Sequence, residues 1–261
     1  MYTFSRASDK SISPLRLVEG MRSVEAAPGL RLNHDRTLSM EEGRTLVVAD
    51  LHLGYEDALE GDGLHLPRTH TMGLMGELLG AIERQGAERV VVLGDVKHDF
   101  HRGRWECRDD VRAVVSMLSE SCECVIIRGN HDNYIQSIVK GLDAEVVDGV
   151  DIDGHRLEHG HAGSGSRPLV IGHEHPSVKL FDRVGGFVKI PCFLHHPDEG
   201  VTVLPAFSPM APGNDLCNGL RPDLFSPALT GKGGDGITVY GCSDIGMLSL
   251  GSLEGIRSMR L

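Results

Sequence analysis

The sequence predicts an α/β fold, and two observations carry that prediction. From Thr45 to Val147, short apolar runs alternate with segments of helical spacing in a β-α-β-α-β order. Three of those runs lead into polar turns, Asp50-Leu51-His52, Gly94-Asp95-Val96-Lys97-His98 and Arg128-Gly129-Asn130-His131-Asp132. Open α/β sheets keep their chemistry at the carboxyl ends of such strands. The chain's 261 residues, 40% of them hydrophobic, can bury a full core in one large domain or at most two.

Residues 1–13 are Ser-rich and polar without periodicity and read as a flexible tail ahead of a single domain over 14–261. The opening MYTFSRASDKSISP has charges and Pro14 where a signal peptide needs an apolar stretch, and the longest apolar runs are strand-sized. A cytoplasmic location with no membrane partner is therefore expected. From Leu15 to Met40 apolar and polar residues alternate, as in short antiparallel strands at a sheet edge. His34, alone in a turn of that stretch, reads as structural.

The run Thr45–Ala49 ends in Asp50 and His52. Residues i and i+2 of an extended segment point to one side, so this pair can hold one metal ion. A polar loop with His65 follows, and a helix starts at Pro67, with Met72, Leu74, Met75, Leu78, Leu79 and Ile82 on its apolar side, and closes at Gly86. His70 on this helix reads as structural. The second run, Arg89–Leu93, passes through Gly94 to Asp95, whose two oxygens can bridge two ions. His98 is placed to touch a bound phosphate, whereas Lys97 reads as a solvated charge. Beyond a loop with Phe100, His101, Arg102 and Arg104, Trp105 reads as a packing residue at the start of a helix over Glu106–Glu120. The third strand then delivers Asn130, His131 and Asp132, followed by a helical turn over Tyr134–Val139 and a strand over Glu145–Val147.

Beyond Asp148 strands follow one another without long helices, which predicts a second sheet, and histidines cluster at its turns. His173 and His175 repeat the i, i+2 spacing of Asp50 and His52. Of His155, His159 and His161 only one need be a ligand; His159 is preferred, His161 comes next and His155 is expected at the surface. Phe193-Leu194 and Val201–Leu204 read as strands around a turn whose His195 and His196 are expected to be exposed. A Pro- and Gly-rich loop from Ala211 to Ala228 is placed to border the pocket. The glycine cluster over Gly231–Gly236 lacks the spacing of a phosphate loop and reads as a turn before a closing β pair, Ile237–Tyr240 and Met247–Leu250.

Six cysteines without C-x-x-C spacing argue against a zinc ribbon or a disulfide framework and for ordinary thiols. A formal net charge of −11 excludes a broadly basic nucleic-acid surface and leaves room for a local basic groove, for which Lys97, Arg102, Arg104 and Arg128 are the candidates.

The ordered series D-x-H, G-D-x-x-H, G-N-H-D, H-G and G-H-x-H resembles the calcineurin-like metallophosphoesterase superfamily from about Thr45 to Pro176, which places the catalytic motifs in 45–176 and leaves a β-rich part over 177–261. The stretches ADLHLGYEDAL, GDVKHDF, RGNHDN, IGHEHP, PCFL and LPAFSP are similar to the archaeal SbcD-related phosphoesterases, relatives of a double-strand-break repair nuclease and of a bacterial ligase-associated phosphodiesterase. The resemblance implies a four-layer α/β/β/α sandwich with two divalent metal ions. Asp50, His52, Asp95 and His175 would hold one ion, and Asp95, Asn130, His159 and His173 the other, with Asp95 bridging. Imidazole and oxygen ligands without thiolate suit manganese, iron or zinc better than calcium or magnesium, and manganese is the first choice. Two such ions outweigh two carboxylates, so the pocket can attract phosphate although the chain is acidic.

The expected reaction is in-line attack of a metal-activated water on phosphorus, with His131 as general acid, Asp132 orienting its ring and His98 steadying the phosphate. Three functions fit this reading. A phosphodiesterase would act on single-stranded or damaged nucleic acid, as a nuclease in DNA repair with a processing partner such as a helicase and as a homodimer. A phosphatase or cyclic-nucleotide phosphodiesterase would act on a small molecule. A scaffold would have lost ligands, whereas every ligand position here is filled. The long extension or second domain of the repair nuclease is not visible, so full double-strand-end processing is not expected.

Overall fold

The computed structural model describes residues 16–17, 21–56, 70–98, 105–181, 186–211, 213–217, 224–230 and 234–258. The expected tail over 1–13, the helix start at Pro67, His65, Phe100, His101, Arg102, Arg104, the Trp105 side chain and residues 231–233 of the glycine cluster lie outside that description.

After β1 (Arg16–Leu17), the strands β2 (Ser23–Ala27), β3 (Leu30–Asn33) and β4 (Leu38–Met40) form the antiparallel edge expected of their alternating sequence. β4 pairs antiparallel with β5 (Thr45–Val48), and β6 (Arg89–Leu93), β7 (Glu123–Ile127) and β8 (Ala144–Val147) add in parallel, so one sheet of 7 strands runs from β2 to β8 in chain order. The parallel crossovers contain α1 (His70–Gln85), α2 (Trp105–Ser121) and the short α3 (Ile135–Ile138).

Continuous apolar runs arise because this sheet is covered on both faces. Leu46, Val48, Val90, Val92, Cys124 and Ile126 pack against Leu74, Leu78, Val111, Val114, Val115 and Leu118 of α1 and α2. The alternate residues Val47, Ala49, Val91, Leu93, Val125 and Ile127 meet Leu157, Val170, Phe193 and Leu204 of a second sheet.

That second sheet has 10 strands. It contains β9 (Gly149–Ile152), β10 (His155–Glu158), β11 (Leu169–Ile171), β12 (Pro176–Phe181), β13 (Phe187–His196), β14 (Val201–Val203), β15 (Asn214–Asp215), β16 (Thr238–Ser243) and β17 (Gly246–Ser252). Its main path is β1-β17-β16-β13-β14-β11-β10-β9, with β12 pairing β13 and β15. Behind it pack α4 (Leu253–Ser258) and loop residues including Leu216, Leu224 and Leu229. The fold is thus the expected sandwich, with an outer layer on this side that is mostly loop among the described residues.

Three histidines expected at the surface are buried. His155 begins β10 and its Nδ1 lies 3.0 Å from the Asp153 carbonyl oxygen. His195 and His196 end β13 and do not form a turn, and His195 Nδ1 meets Thr202 Oγ1 at 2.9 Å. For His155 and His195 a nearby polar partner permits burial of an imidazole that its sequence neighbours mark as solvent-facing, whereas His196 Nδ1 is buried without a hydrogen bond. None of the six cysteines forms a disulfide. Among the described residues no helix is long and apolar enough to cross a membrane.

Candidate metal centre

The site forms where the carboxyl ends of β5, β6 and β7 meet turns of the second sheet. Extended geometry does not bring Asp50 and His52 together: β5 ends at Val48, and the two residues have left-handed φ values of 56° and 45°. Asp95, His173 and His175 are left-handed too, at 48°, 69° and 44°. Such a backbone costs a non-glycine residue about 1–2 kcal/mol, and strain gathered at one place marks a functional site. The β5 and β6 turns hold one another by main-chain bonds, from Asp50 N–H to the Gly94 carbonyl at 3.2 Å and from His52 N–H to the Asp95 carbonyl at 2.9 Å. Asp50 Oδ2 accepts the His173 N–H at 3.0 Å and so ties the second sheet to the first.

Two groups of side chains result, with mutually close ligand atoms: Asp50, His52, Asp95 and His175, and Asp95, His159 and His173. Asp95 belongs to both. Its Oδ1 accepts the His131 N–H at 2.9 Å, while its Oδ2 lies 3.4 Å from His159 Nε2, 3.9 Å from His131 Nε2 and 4.0 Å from His52 Nε2. One oxygen of Asp95, instead of two, therefore faces both groups. Glycines make this approach possible, since a Cβ on Gly129 would stand 2.1 Å from Asp95 Oδ1 and one on Gly94 would stand 2.4 Å from His159 Nδ1.

The donor set fits divalent cations. Asp50 Oδ1 is buried without a hydrogen bond, although His175 Nε2 is 3.3 Å away, and His52 Nε2 is 3.1 Å from His175 Nε2. His159 Nδ1 is 2.7 Å from the Leu93 carbonyl oxygen and donates to it, which turns Nε2 toward Asn130 Oδ1 at 3.0 Å. A ring nitrogen facing only oxygen acceptors must share a cation with them, either a proton or a metal ion. Burial opposes charge on His159, but Asp95 and Asp50 overcome it and raise its pKa to about 9. Burial likewise opposes the charge of Asp95, yet His159 and the His131 N–H hold its carboxyl below the usual range. Burial lowers His52 and His173 to about 4, which keeps them in the neutral form that ligates.

His159 is 1% exposed and sits inside the second group, while His161 is exposed at its edge with ring centroids 5.3 Å apart. His131 stands beside both groups. Its Nδ1 meets the main-chain carbonyl of His98, so that carbonyl, not the expected Asp132 carboxylate, orients the ring. The Asp132 oxygens instead accept N–H groups from Val96 at 3.0 Å, Lys97 at 3.3 Å and Gly129 at 2.9 Å, clamping the β6 and β7 turns together. Burial pushes Asp132 up to about 6. The imidazole of His98 lies with His52 and His131 in a third close group, its Nδ1 3.4 Å from His52 Nδ1.

Lys97 is not a solvated charge. It is fully buried, and its Nζ donates to the His131 carbonyl, anchoring that turn from beneath. Arg128 pairs with Asp148 through two guanidinium nitrogens, and both residues line the cleft beside Asn130, so the carboxylate offsets its charge there. His70 is tied to Ser208, Nε2 to Oγ at 3.1 Å, and its N–H donates to Glu56 at 3.0 Å.

Sequence reasoning overlooked Glu174, which is 1% exposed between His173 and His175 and accepts the Ser226 N–H, fastening the 224–230 segment to the site. The G-H-E-H spelling was its one available signal. Also overlooked was the LPAFSP stretch as a support: Phe207 N–H donates to the Ala49 carbonyl at 2.7 Å, directly behind Asp50. Two clefts flank the centre. One of about 470 Å³ is lined by Asn130, Asp132, Tyr134 and His161, and the other, of about 320 Å³, by Arg36, His175, Ser177, Lys189 and Pro191.

Residues 43–219 match the calcineurin-like phosphoesterase family. No curated protein sequence matches the chain. Among solved structures, the fold is similar to that of the Pseudomonas putida nuclease MPE at 24% identity and a TM-score of 0.62, over 87% of this chain and 98% of that one. The E. coli phosphoesterase YfcE is more distant, at 15% identity and a TM-score of 0.37 over 77% of this chain and 88% of that one. The family match spans well over half of the chain and encloses both groups of ligand atoms. On that ground the chain belongs to the calcineurin-like phosphoesterase family and is a metal-dependent phosphoesterase.

Proposed function

We propose that the chain hydrolyses phosphodiester bonds in nucleic acid with two divalent ions, manganese before iron or zinc. The observation that carries this reading is the pair of ligand groups sharing Asp95, with His131 Nε2 3.9 Å from the shared Oδ2. Asp50, His52, Asp95 and His175 hold one ion, and Asp95, Asn130, His159 and His173 the other. When bound, the two ions supply an activated water and offset the charge of the phosphate. His131, its ring oriented through Nδ1, protonates the leaving oxygen from Nε2. His98 steadies the phosphate beside it, and Asp132 acts as a positioning residue through the three N–H groups it gathers.

The nuclease activity named for the P. putida protein supports nucleic acid as the substrate class. Single-stranded or damaged strands, a role in DNA repair beside a partner such as a helicase, and a homodimer belong to the same proposal. The IGHEHP and LPAFSP stretches support a place among the SbcD-related phosphoesterases. An apolar interior shared by the two sheets supports one domain over 14–261.

Manganese-dependent hydrolysis of bis-p-nitrophenyl phosphate, beside p-nitrophenyl phosphate, tests this reading. Diester cleavage should exceed monoester cleavage, vanish in Asp95→Ala and fall about 10²- to 10⁴-fold in His131→Ala, with cleavage of single-stranded DNA to follow. Monoester preference would transfer the activity to a small-molecule phosphatase. Loss of neither activity on metal removal would sink the two-ion reading.

A further inference from the structure

The β12–β13 hairpin carries an outward stripe that the catalytic reading does not use. Ser177 pairs with Pro191, Lys179 with Lys189 and Phe181 with Phe187, so these six residues share one face of the ribbon, on which Ser177 is buried with its hydroxyl donating to the Asn214 carbonyl at 2.8 Å. On the opposite face Val178 and Ile190 are packed in the core of the second sheet, while Val188 near the end of the hairpin is 55% exposed. On the outward face alternation calls for polar residues, yet Phe181 and Phe187 are 53% and 60% exposed, their rings 5.7 Å apart. The Lys179 ammonium lies 5.2 Å from the Phe187 ring centroid and 3.0 Å from Asp215 Oδ2. Lys189 Nζ reaches the Gly213 carbonyl at 2.6 Å.

The stripe begins at the metal centre. His175 stands two residues before Ser177, and the cleft beside it is lined by Arg36, Ser177, Lys189 and Pro191. From Ser177 to Phe181 the ribbon extends about 13 Å. Lys189, with Lys179 and Arg36, which are paired to Asp215 and Glu77, therefore lies next to the site, and exposed aromatic rings lie beyond, along one continuous surface. A strand of unpaired nucleotides matches that order, because its phosphates need cations near the scissile bond and its bases are free to stack on aromatic rings. Paired bases in a duplex present no free faces for such stacking.

We propose that this stripe is the track for a single-stranded nucleic acid leading away from the metal centre, with its bases stacked on Phe181 and Phe187. The proposal rests on the phosphodiesterase reading above and adds the path of the strand and the residues that hold its bases.

The test compares the wild type with a Phe181→Ala, Phe187→Ala double variant and a Phe181→Tyr, Phe187→Tyr double variant. Binding of a fluorescein-labelled, hydrolysis-resistant 12-mer of thymidylate is read by anisotropy, beside hydrolysis of bis-p-nitrophenyl phosphate, which is too small to extend from the metal centre to Phe181 and Phe187. The alanine variant should keep the small-diester rate, which also reports an intact fold, and bind the 12-mer about 5- to 100-fold more weakly. The tyrosine variant should bind as the wild type does. Equal 12-mer affinity in wild type and alanine variant, or no binding by the wild type, would overturn the track. A wild-type dimer in sedimentation that the alanine pair converts to monomer would overturn it too, in favour of a subunit interface. Small-diester hydrolysis without cleavage of any oligonucleotide would count against the nucleic-acid reading itself, and the binding comparison separates that failure from failure of the stripe.

Discussion

Gly129 leaves Asp95 no room to move. An added Cβ would stand 2.1 Å from Asp95 Oδ1 and 2.3 Å from its main-chain nitrogen, so Gly129→Ala must push the shared carboxylate aside. Misplacing a reacting group by an ångström costs about 10²-fold in rate. Gly129→Ala should therefore lower kcat on bis-p-nitrophenyl phosphate by that order while circular dichroism stays unchanged; a full rate would show that the Asp95 position is not limiting. Lys97 supports the same turn from below through the His131 carbonyl. Lys97→Met removes that donor and should cost about 1–3 kcal/mol in urea unfolding, with a parallel loss of rate. Residue types at the site were legible because carboxylates and imidazoles after apolar strands have few structural uses. Environment was not: Lys97, His155, His195 and His196 look solvent-facing in the sequence and are buried, Lys97 against a turn 34 residues further along the chain.

At the scale of elements, the strands β5, β6 and β7 alternate between a helix-facing and a sheet-facing set although all their inward positions are apolar. Apolar runs report burial on both faces and leave unsaid what lies on each. Phe193 is the clearest case, fully buried on β13 among residues of both sheets. Phe193→Ala should destabilise the protein by about 3–5 kcal/mol, read as a lower urea midpoint, and should leave kcat per folded molecule nearly unchanged because the residue touches none of the ligand groups. The antiparallel edge and the closing β16–β17 pair were readable from alternation. The turns at Asp50-x-His52 and His173-x-His175 were not, since spacing alone suggests extended strand ends where the chain is left-handed.

For the whole molecule, the first sheet contributes Asp50, His52, Asp95, Asn130 and His131 and the turns of the second contribute His159, His173 and His175. Ions held between them bind the folded chain alone and stabilise it by about 2.7 kcal/mol at a hundredfold excess over Kd. Chelation should accordingly lower Tm in a thermal scan and manganese should restore it, whereas Asp50→Asn should make Tm insensitive to either. An unchanged Tm in the wild type would mean that the ions do not brace the two sheets.

The sequence by itself determined the α/β class, the order of the strands and the residue types that gather at their ends, because periodicity and the polar turns are local properties of the chain. Tertiary structure alone decided that one oxygen of Asp95 faces both ligand groups, that the His98 carbonyl orients His131, and that Lys97 lies buried. It also decided that the Lys179, Phe181, Phe187 and Lys189 side chains form one outward face continuous with the site. Each of these depends on which distant segments meet and on the sign of a φ angle, and neither quantity is written in the spacing of residues along the chain.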